Sequence, residues 1–509
     1  HGNSKEDIQD LLNDLQSMSK IPLLVAANCD SGGNGACSEG TYIASGAQAE
    51  AAGDLQVSYH AGLVSAREEK ALGVNVNFDP CVDILYNWRN TIVNTRAYGT
   101  DAETVIKYTN AYLDGLTAEN GENMEDGVIQ CIKHFPGDGT EERDQHLVLG
   151  VNELSPEEWR ASFGKVYQNH IDRGVEMIMA GHIAVPALQK ELNPALEDKD
   201  IMPATLAEEL IQDELKTELG FNGLVITDAT HMLGMTSAMR REDYVPKSIA
   251  AGCDMFLFFN NIAEDFGFML KGYQNGVITE ERLTDALRRI LGLKAKLHLP
   301  EKQANGTLLR TREDLNVIGC EEHLQWRAEA ADKGISLIKD TQNNLPINPV
   351  DHKRIRLYML EGEKGGITDN GSKAQQLFVD ELTKRGYEVT VNERGSRVKG
   401  ATLKYRDEVD FALEVADIAG YGAQNNYRIQ WSTAMANEVP WFVWEVPHAF
   451  VSLNFTTHLH DATMVKTFVN AYHNNEETIK QVIDKLEGKS EFKGGHNDLV
   501  WTDKWQAKL

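Results

Sequence analysis

The stretch Val128-Ile129-Gln130-Cys131-Ile132-Lys133-His134-Phe135-Pro136-Gly137-Asp138-Gly139 changes character halfway. It opens almost wholly apolar, as a strand buried on both faces does, and then Pro136, Gly137 and Gly139 stop any regular element. Working outward, the same pattern of a short apolar run with a polar exit recurs at residues 21–27, 74–78, 177–180, 224–227 and 254–257. The spacing is roughly 50 residues, enough for a helix and two loops between strands, which predicts repeated βα units and a parallel sheet. Helix signals fill the intervals. Ser4 and Asp7 open a stretch with Ile8, Leu11, Leu12, Leu15 and Met18 on one face, and Ser155, Pro156 and Glu158 form a capping box. Thr205 and Glu208 repeat that device ahead of Leu210, Ile211 and Leu215, and Gly220 closes the helix.

Six strands favour an α/β fold of the (β/α)8 TIM-barrel type over residues 1–297, with the first barrel strand expected upstream of His1. Pro300, Asn305 and Gly306 suggest a linker over 298–316. A second pattern over 317–509, with strands near 334–338, 355–360, 387–391, 411–416 and 449–453, predicts an αβα sandwich. Helices are expected at 321–332, 372–385 and 476–486. The segment 424–431 is rich in amides and aromatics, and suits either a barrel-facing surface or ordinary core.

Composition narrows the function classes. The chain has 509 residues, 42% hydrophobic and 25% charged, with a formal charge of −27. That is a soluble globular composition, and its sign argues against a nucleic-acid partner. No apolar run approaches the ~20 residues of a membrane span. Six cysteines without CxxC spacing, several in apolar runs, read as buried reduced thiols and point to a cytoplasmic setting. A chain that begins at His1 leaves any upstream signal segment unread.

Barrel chemistry gathers where strands end. The exits here are Asn28-Cys29-Asp30-Ser31-Gly32-Gly33-Asn34, Asp79-Pro80 with Asp83, Lys133-His134, Gly181-His182 and Thr227-Asp228. Past Lys133 the chain reads KHFPGDGTEERDQH, so Asp144 and His146 stand two apart. In an extended backbone they share a side, where the carboxylate holds the ring for acid/base work; a surface ion pair is the plainer alternative. Asp228 ends the run 224–228, as a nucleophile, a metal ligand or a helix cap.

Together these segments resemble glycoside hydrolase family 3, in its β-N-acetylglucosaminidase branch. The pattern K-H-F-P-G-x-G, four residues, D-x-H matches Lys133 to His146 at every fixed position, and Asp228 with Met232 matches the family's nucleophile and the Met four residues on. Asn94-Thr95-Arg96-Ala97-Tyr98-Gly99-Thr100-Asp101 is similar to the family's Arg-bearing segment. The resemblance implies an exo-acting, retaining β-N-acetylglucosaminidase with Asp228 as nucleophile and His146, held by Asp144, as acid/base. Gly137 and Gly139 would hinge the loop that carries it. Arg96, Lys133 and His134 would bind sugar hydroxyls. The family's usual Asp before its Gly-Gly turn is replaced or displaced, so Asn28, then Asp30, would take that hydroxyl contact; Met232 completes the substrate set. Asp138 stands where a His is common. An imidazole acid/base does not repel an anionic acceptor, so phosphate is expected to compete with water. No cofactor and no metal are expected. The expected partner is a small carbohydrate ending in N-acetylglucosamine, for example a muropeptide from cell-wall recycling, and the chain is expected as monomer or homodimer. A β-glucosidase or β-xylosidase of the same family and a non-catalytic sugar-binding barrel are the rival readings. A nicotinamide enzyme is disfavoured because Gly137-Asp138-Gly139 has Glu142 in place of the third glycine.

Overall fold

The computed structural model describes residues 3–362, 372–419 and 427–509. They form two compact units, residues 1–46 with 55–324, and residues 47–54 with 325–509.

In the first unit, β1 (Ala26–Ala27), β2 (Val76–Asn77), β3 (Ile129–Phe135), β4 (Met177–Ala180), β5 (Leu224–Ala229) and β6 (Met255–Leu257) pair side by side in that order. Every pairing is parallel, as a βα-repeating barrel requires. The sheet holds six strands among the described residues, matching the six runs read from the sequence. Ile129, Cys131, Met177, Met179, Leu224 and Ile226 alternate onto one face and pack as a single core with Val76 and Phe78.

The ladder is irregular at two places. Lys133 pairs with Met179 and Phe135 with Ala180, so His134 is left between them; Ile226 pairs with Met255 and Ala229 with Leu257, leaving Thr227 and Asp228 out of register. Bulges of this kind re-aim side chains beside active sites.

The capping box forms: Ser155 accepts the Glu158 N–H while the Glu158 carboxylate accepts the Ser155 N–H at 2.9 Å. Its helix runs on through a π-helical turn at Arg160–Gly164 into Lys165–Asp172. Thr205 departs from expectation. It lies in a short 3-10 turn, and its hydroxyl is spent on His182 Nδ1 at 3.0 Å instead of capping. Leu210, Ile211 and Leu215 are buried as expected, and Gly220 has φ +72°. The first helix, Lys5–Met18, is capped by Ser4, but Leu11, Leu15 and Met18 are exposed. Ile8 and Leu12 of the expected face do pack, against a core that includes Leu72, Val74 and Leu315, and beside them Gln9 donates to the Ala71 and Thr311 carbonyls and Gln16 to that of Leu23.

Residues 298–316 are not an open linker. Pro300 sits in the first turn of a helix, Leu299–Asn305, and Gly306 caps it with φ +73°, so the breakers mark helix ends. Beyond it the Arg310 N–H donates to Asn13 at 2.9 Å, and Leu315 is buried.

The second unit is built on β7 (Ser336–Asp340), β8 (Arg354–Glu361), β9 (Glu388–Val391), β10 (Phe411–Asp417), β11 (His448–Ser452) and β12 (Thr467–Asn470). The order is β9-β8-β10-β11-β12-β7, with β7 alone antiparallel. Helices Ala374–Lys384 and Glu476–Leu486 cover one face with Phe378, Leu382, Ile479 and Ile483. Of segment 424–431, residues 424–426 lie outside the described residues, while Tyr427 and Ile429 are core. All six cysteines are free, five of them buried. No described helix is long and apolar enough to cross a membrane.

Candidate active site

Lys133 leaves β3 almost fully buried, and its Nζ lies 2.7 Å from Asp79 Oδ1, 2.9 Å from Asn28 Oδ1 and 3.3 Å from Asp30 Oδ1. Arg96 Nε reaches the other Asp30 oxygen at 2.5 Å. Four of the sequence candidates thus meet in one network, with two carboxylates offsetting two cations. Burial works against ionising Asp30, but Arg96 and then Lys133 hold its carboxyl far below the usual carboxylate range. Asp79, which the sequence marked only as a polar strand exit, completes the cage and also accepts the Cys29 N–H at 2.5 Å.

The second group surrounds Asp228. Its Oδ1 accepts the Ala229 N–H at 2.7 Å. Burial opposes its charge, yet the carboxyl is held below its ordinary range, foremost by the charge of neighbouring His134. His182 stands behind the turn with Nε2 donating to the Ala229 carbonyl at 2.9 Å, and burial keeps the ring neutral.

Asp144 and His146 do pair, through a different backbone from the extended one expected. The Leu147 and Val148 N–H groups fold back to the Asp144 carbonyl, making a turn. Asp144 Oδ1 then accepts both the His146 N–H at 2.8 Å and Nδ1–H at 2.7 Å. A short Asx side chain that bonds its own backbone two residues on favours such a turn. A carboxylate only accepts, so Nδ1 carries the hydrogen and Nε2 is left without a partner among the described residues. The loop is tied to the turn after β5: Leu233 N–H donates to the His146 carbonyl and Gly234 N–H to that of Gln145, each at 3.0 Å. Met232 is buried beneath that turn.

Gly137 (φ +119°) and Gly139 (φ +107°) take left-handed conformations with no room for a Cβ, which would lie 2.1 Å from the Phe163 ring and from the Ile84 carbonyl oxygen respectively. Between them Asp138 is buried, and desolvation with the nearby Asp83 charge pushes its carboxyl up to about 8. Cys81, Asp83 and His134 lie close enough together to suggest a metal cluster. In this structure they are joined to one another by hydrogen bonds, with the Cys81 thiol and His134 Nδ1–H both donating to Asp83 Oδ2, at 3.1 and 2.7 Å.

The model for the glycosyl hydrolase family 3 N-terminal domain matches residues 3–293. The chain belongs to glycoside hydrolase family 3. A β-N-acetylglucosaminidase/β-glucosidase of Cellulomonas fimi is 39% identical over 500 residues, 97% of this chain and 86% of that protein. Among solved structures, the β-glucoside phosphorylase BglX superposes with TM-score 0.93 at 37% identity, over 100% of this chain and 90% of that one. A family 3 β-N-acetylglucosaminidase from Paenibacillus sp. str. FPU-7 shares the fold at 21% identity and TM-score 0.75. The chain is therefore a family 3 glycosidase, with the barrel and second domain that its sequence suggested.

Proposed function

We propose that this family 3 enzyme removes a terminal β-linked N-acetylglucosamine or glucose with retention, through a covalent glycosyl–Asp228 ester, and that phosphate competes with water for that ester. The observation that carries the reading is an ionised Asp228 whose following turn is hydrogen-bonded to the loop bearing the Asp144–His146 pair. In the first step Asp228 attacks the anomeric carbon while protonated His146 gives its Nε2 proton to the departing oxygen, and Asp144 offsets the imidazolium charge. In the second step neutral His146 takes a proton from water as it attacks, Asp228 leaves, and the configuration is restored. Phosphate needs no such deprotonation and meets no carboxylate at the acid/base position, so it yields the sugar 1-phosphate. Arg96, Lys133, His134, Asn28 and Asp30 would hold the sugar hydroxyls. The names of the two relatives near 40% identity support both sugars and, in one of them, phosphorolysis.

The test is product analysis with p-nitrophenyl β-N-acetylglucosaminide and β-glucoside, in phosphate and in a non-nucleophilic buffer. Sugar 1-phosphate is expected only in phosphate, and Asp228→Asn should lose about 10³-fold or more in kcat. A variant as active as the wild type overturns the nucleophile, and identical rates and products in both buffers overturn the acceptor.

A further inference from the structure

The end of β3, which leads into the loop that carries His146, holds a second imidazole with its own carboxylate. Asp83, fully buried, faces His134 with Oδ2 2.7 Å from Nδ1. Its remaining capacity is spent on the same strand end and the residues around it: Oδ1 accepts the N–H groups of His134 at 3.3 Å and Asp138 at 2.8 Å, and Oδ2 accepts the Cys81 thiol at 3.1 Å. Asp83 therefore fixes both the backbone and the ring of His134. It also decides which ring nitrogen carries hydrogen, because an acceptor-only carboxylate demands Nδ1–H. Nε2, the nitrogen left over, has no partner among the described residues. His134 itself stands in the β3 irregularity, beside Asp228 in the adjoining group, and supplies the strongest charge favouring the ionised carboxylate.

We propose that Asp83 is a positioning residue that acts through His134, orienting its Nε2 toward the reaction centre and compensating the ring's charge when it is doubly protonated. The inference rests on the reading of Asp228 as nucleophile. Asp83 makes no hydrogen bond to Asp228 among the described residues, and its burial among four donors leaves no lone pair for a ligand.

Asp83→Asn separates this role from mere support. The amide oxygen can keep accepting both backbone N–H groups, while the NH2 now donates to Nδ1 and reverses the tautomer. A ring that no longer carries charge stabilises the Asp228 carboxylate less, so the acidic limb of kcat/KM against pH should move upward by roughly one pH unit. kcat/KM at the optimum should fall about 10²-fold, as misplacement of a reacting group does. His134→Gln should move the same limb, and the double variant should be no worse than His134→Gln alone, because the two act as one unit. Loss of rate at every pH with an unmoved limb, or additive losses in the double variant, overturns the proposal. Should Asp83→Asn fail to fold, an unmoved limb in His134→Gln overturns it equally. Asp228→Asn is assayed alongside. If it stays active, the nucleophile reading has failed; if it is inert while the limb of Asp83→Asn stays put, only the positioning role has.

Discussion

His134 stands near the end of β3 and His146 on the loop that follows; each has a carboxylate oxygen 2.7 Å from Nδ1, but the His146 side chain is 30% exposed and that of His134 only 6%. In the proposed reaction, exposure suits the two rings to different work. A group that must exchange its proton every turnover needs access to solvent, whereas one that supplies a fixed field does better without it. His146→Ala should therefore cost about 10²–10⁴ in kcat on an alkyl glycoside, whose leaving group needs protonation, and much less on a p-nitrophenyl glycoside. Comparing the two substrates in one variant checks the assignment. The Asp144–His146 pair was legible in the sequence because its partners are two residues apart. The Asp83–His134 and Asp79–Lys133 pairs were not, because each meets only across neighbouring strand ends, and a polar strand exit does not say which partner it will find.

Short elements here are specified by backbone chemistry more than by periodicity. The Ser155 capping box and the Gly220 cap were readable since each is a local hydrogen-bond or φ requirement. Thr205 and the stretch 298–316 misled for the same reason: identical residue types serve a His182 contact in one case and helix ends in the other. β12 escaped notice because Thr467–Asn470 holds only two apolar residues, Phe468 and Val469, between polar ones, too little pattern to read as a strand. The motif glycines allow a graded test. Gly137→Ala meets the Phe163 ring as well as an unfavourable φ and should cost about 2–5 kcal/mol. Gly220→Ala, with φ +72° and open space around it, should cost only about 1–2 kcal/mol. Denaturant melts of the two variants check the ranking.

Across the whole molecule, the −27 charge says little about the site, where cations and carboxylates balance locally. Two buried carboxyls matter more for pH. Asp138 and Glu69 are each pushed up to about 8, foremost by burial, whereas in the unfolded chain they titrate near 4. Between those values the folded state binds more protons, so these two groups take stability away as pH rises from about 4 to 8. Asp138→Asn with Glu69→Gln mimics the protonated forms. The double variant should lose less stability than the wild type between pH 5 and pH 8, a difference on the order of several kcal/mol, measured by urea midpoints. A larger loss in the variant would refute the assignment. The strand order of the second unit has a further consequence. β7 is the first of its strands to leave the ribosome, yet among the described residues its only ladder partner is β12, with register contacts such as Ser336 to Asn470. Every other strand of that sheet is translated in between. The edge strand must wait with its backbone unpaired, and Leu337 and Ile338 uncovered, until nearly the whole chain has emerged, which makes the interval before β12 is synthesised the period of greatest exposure to misassembly.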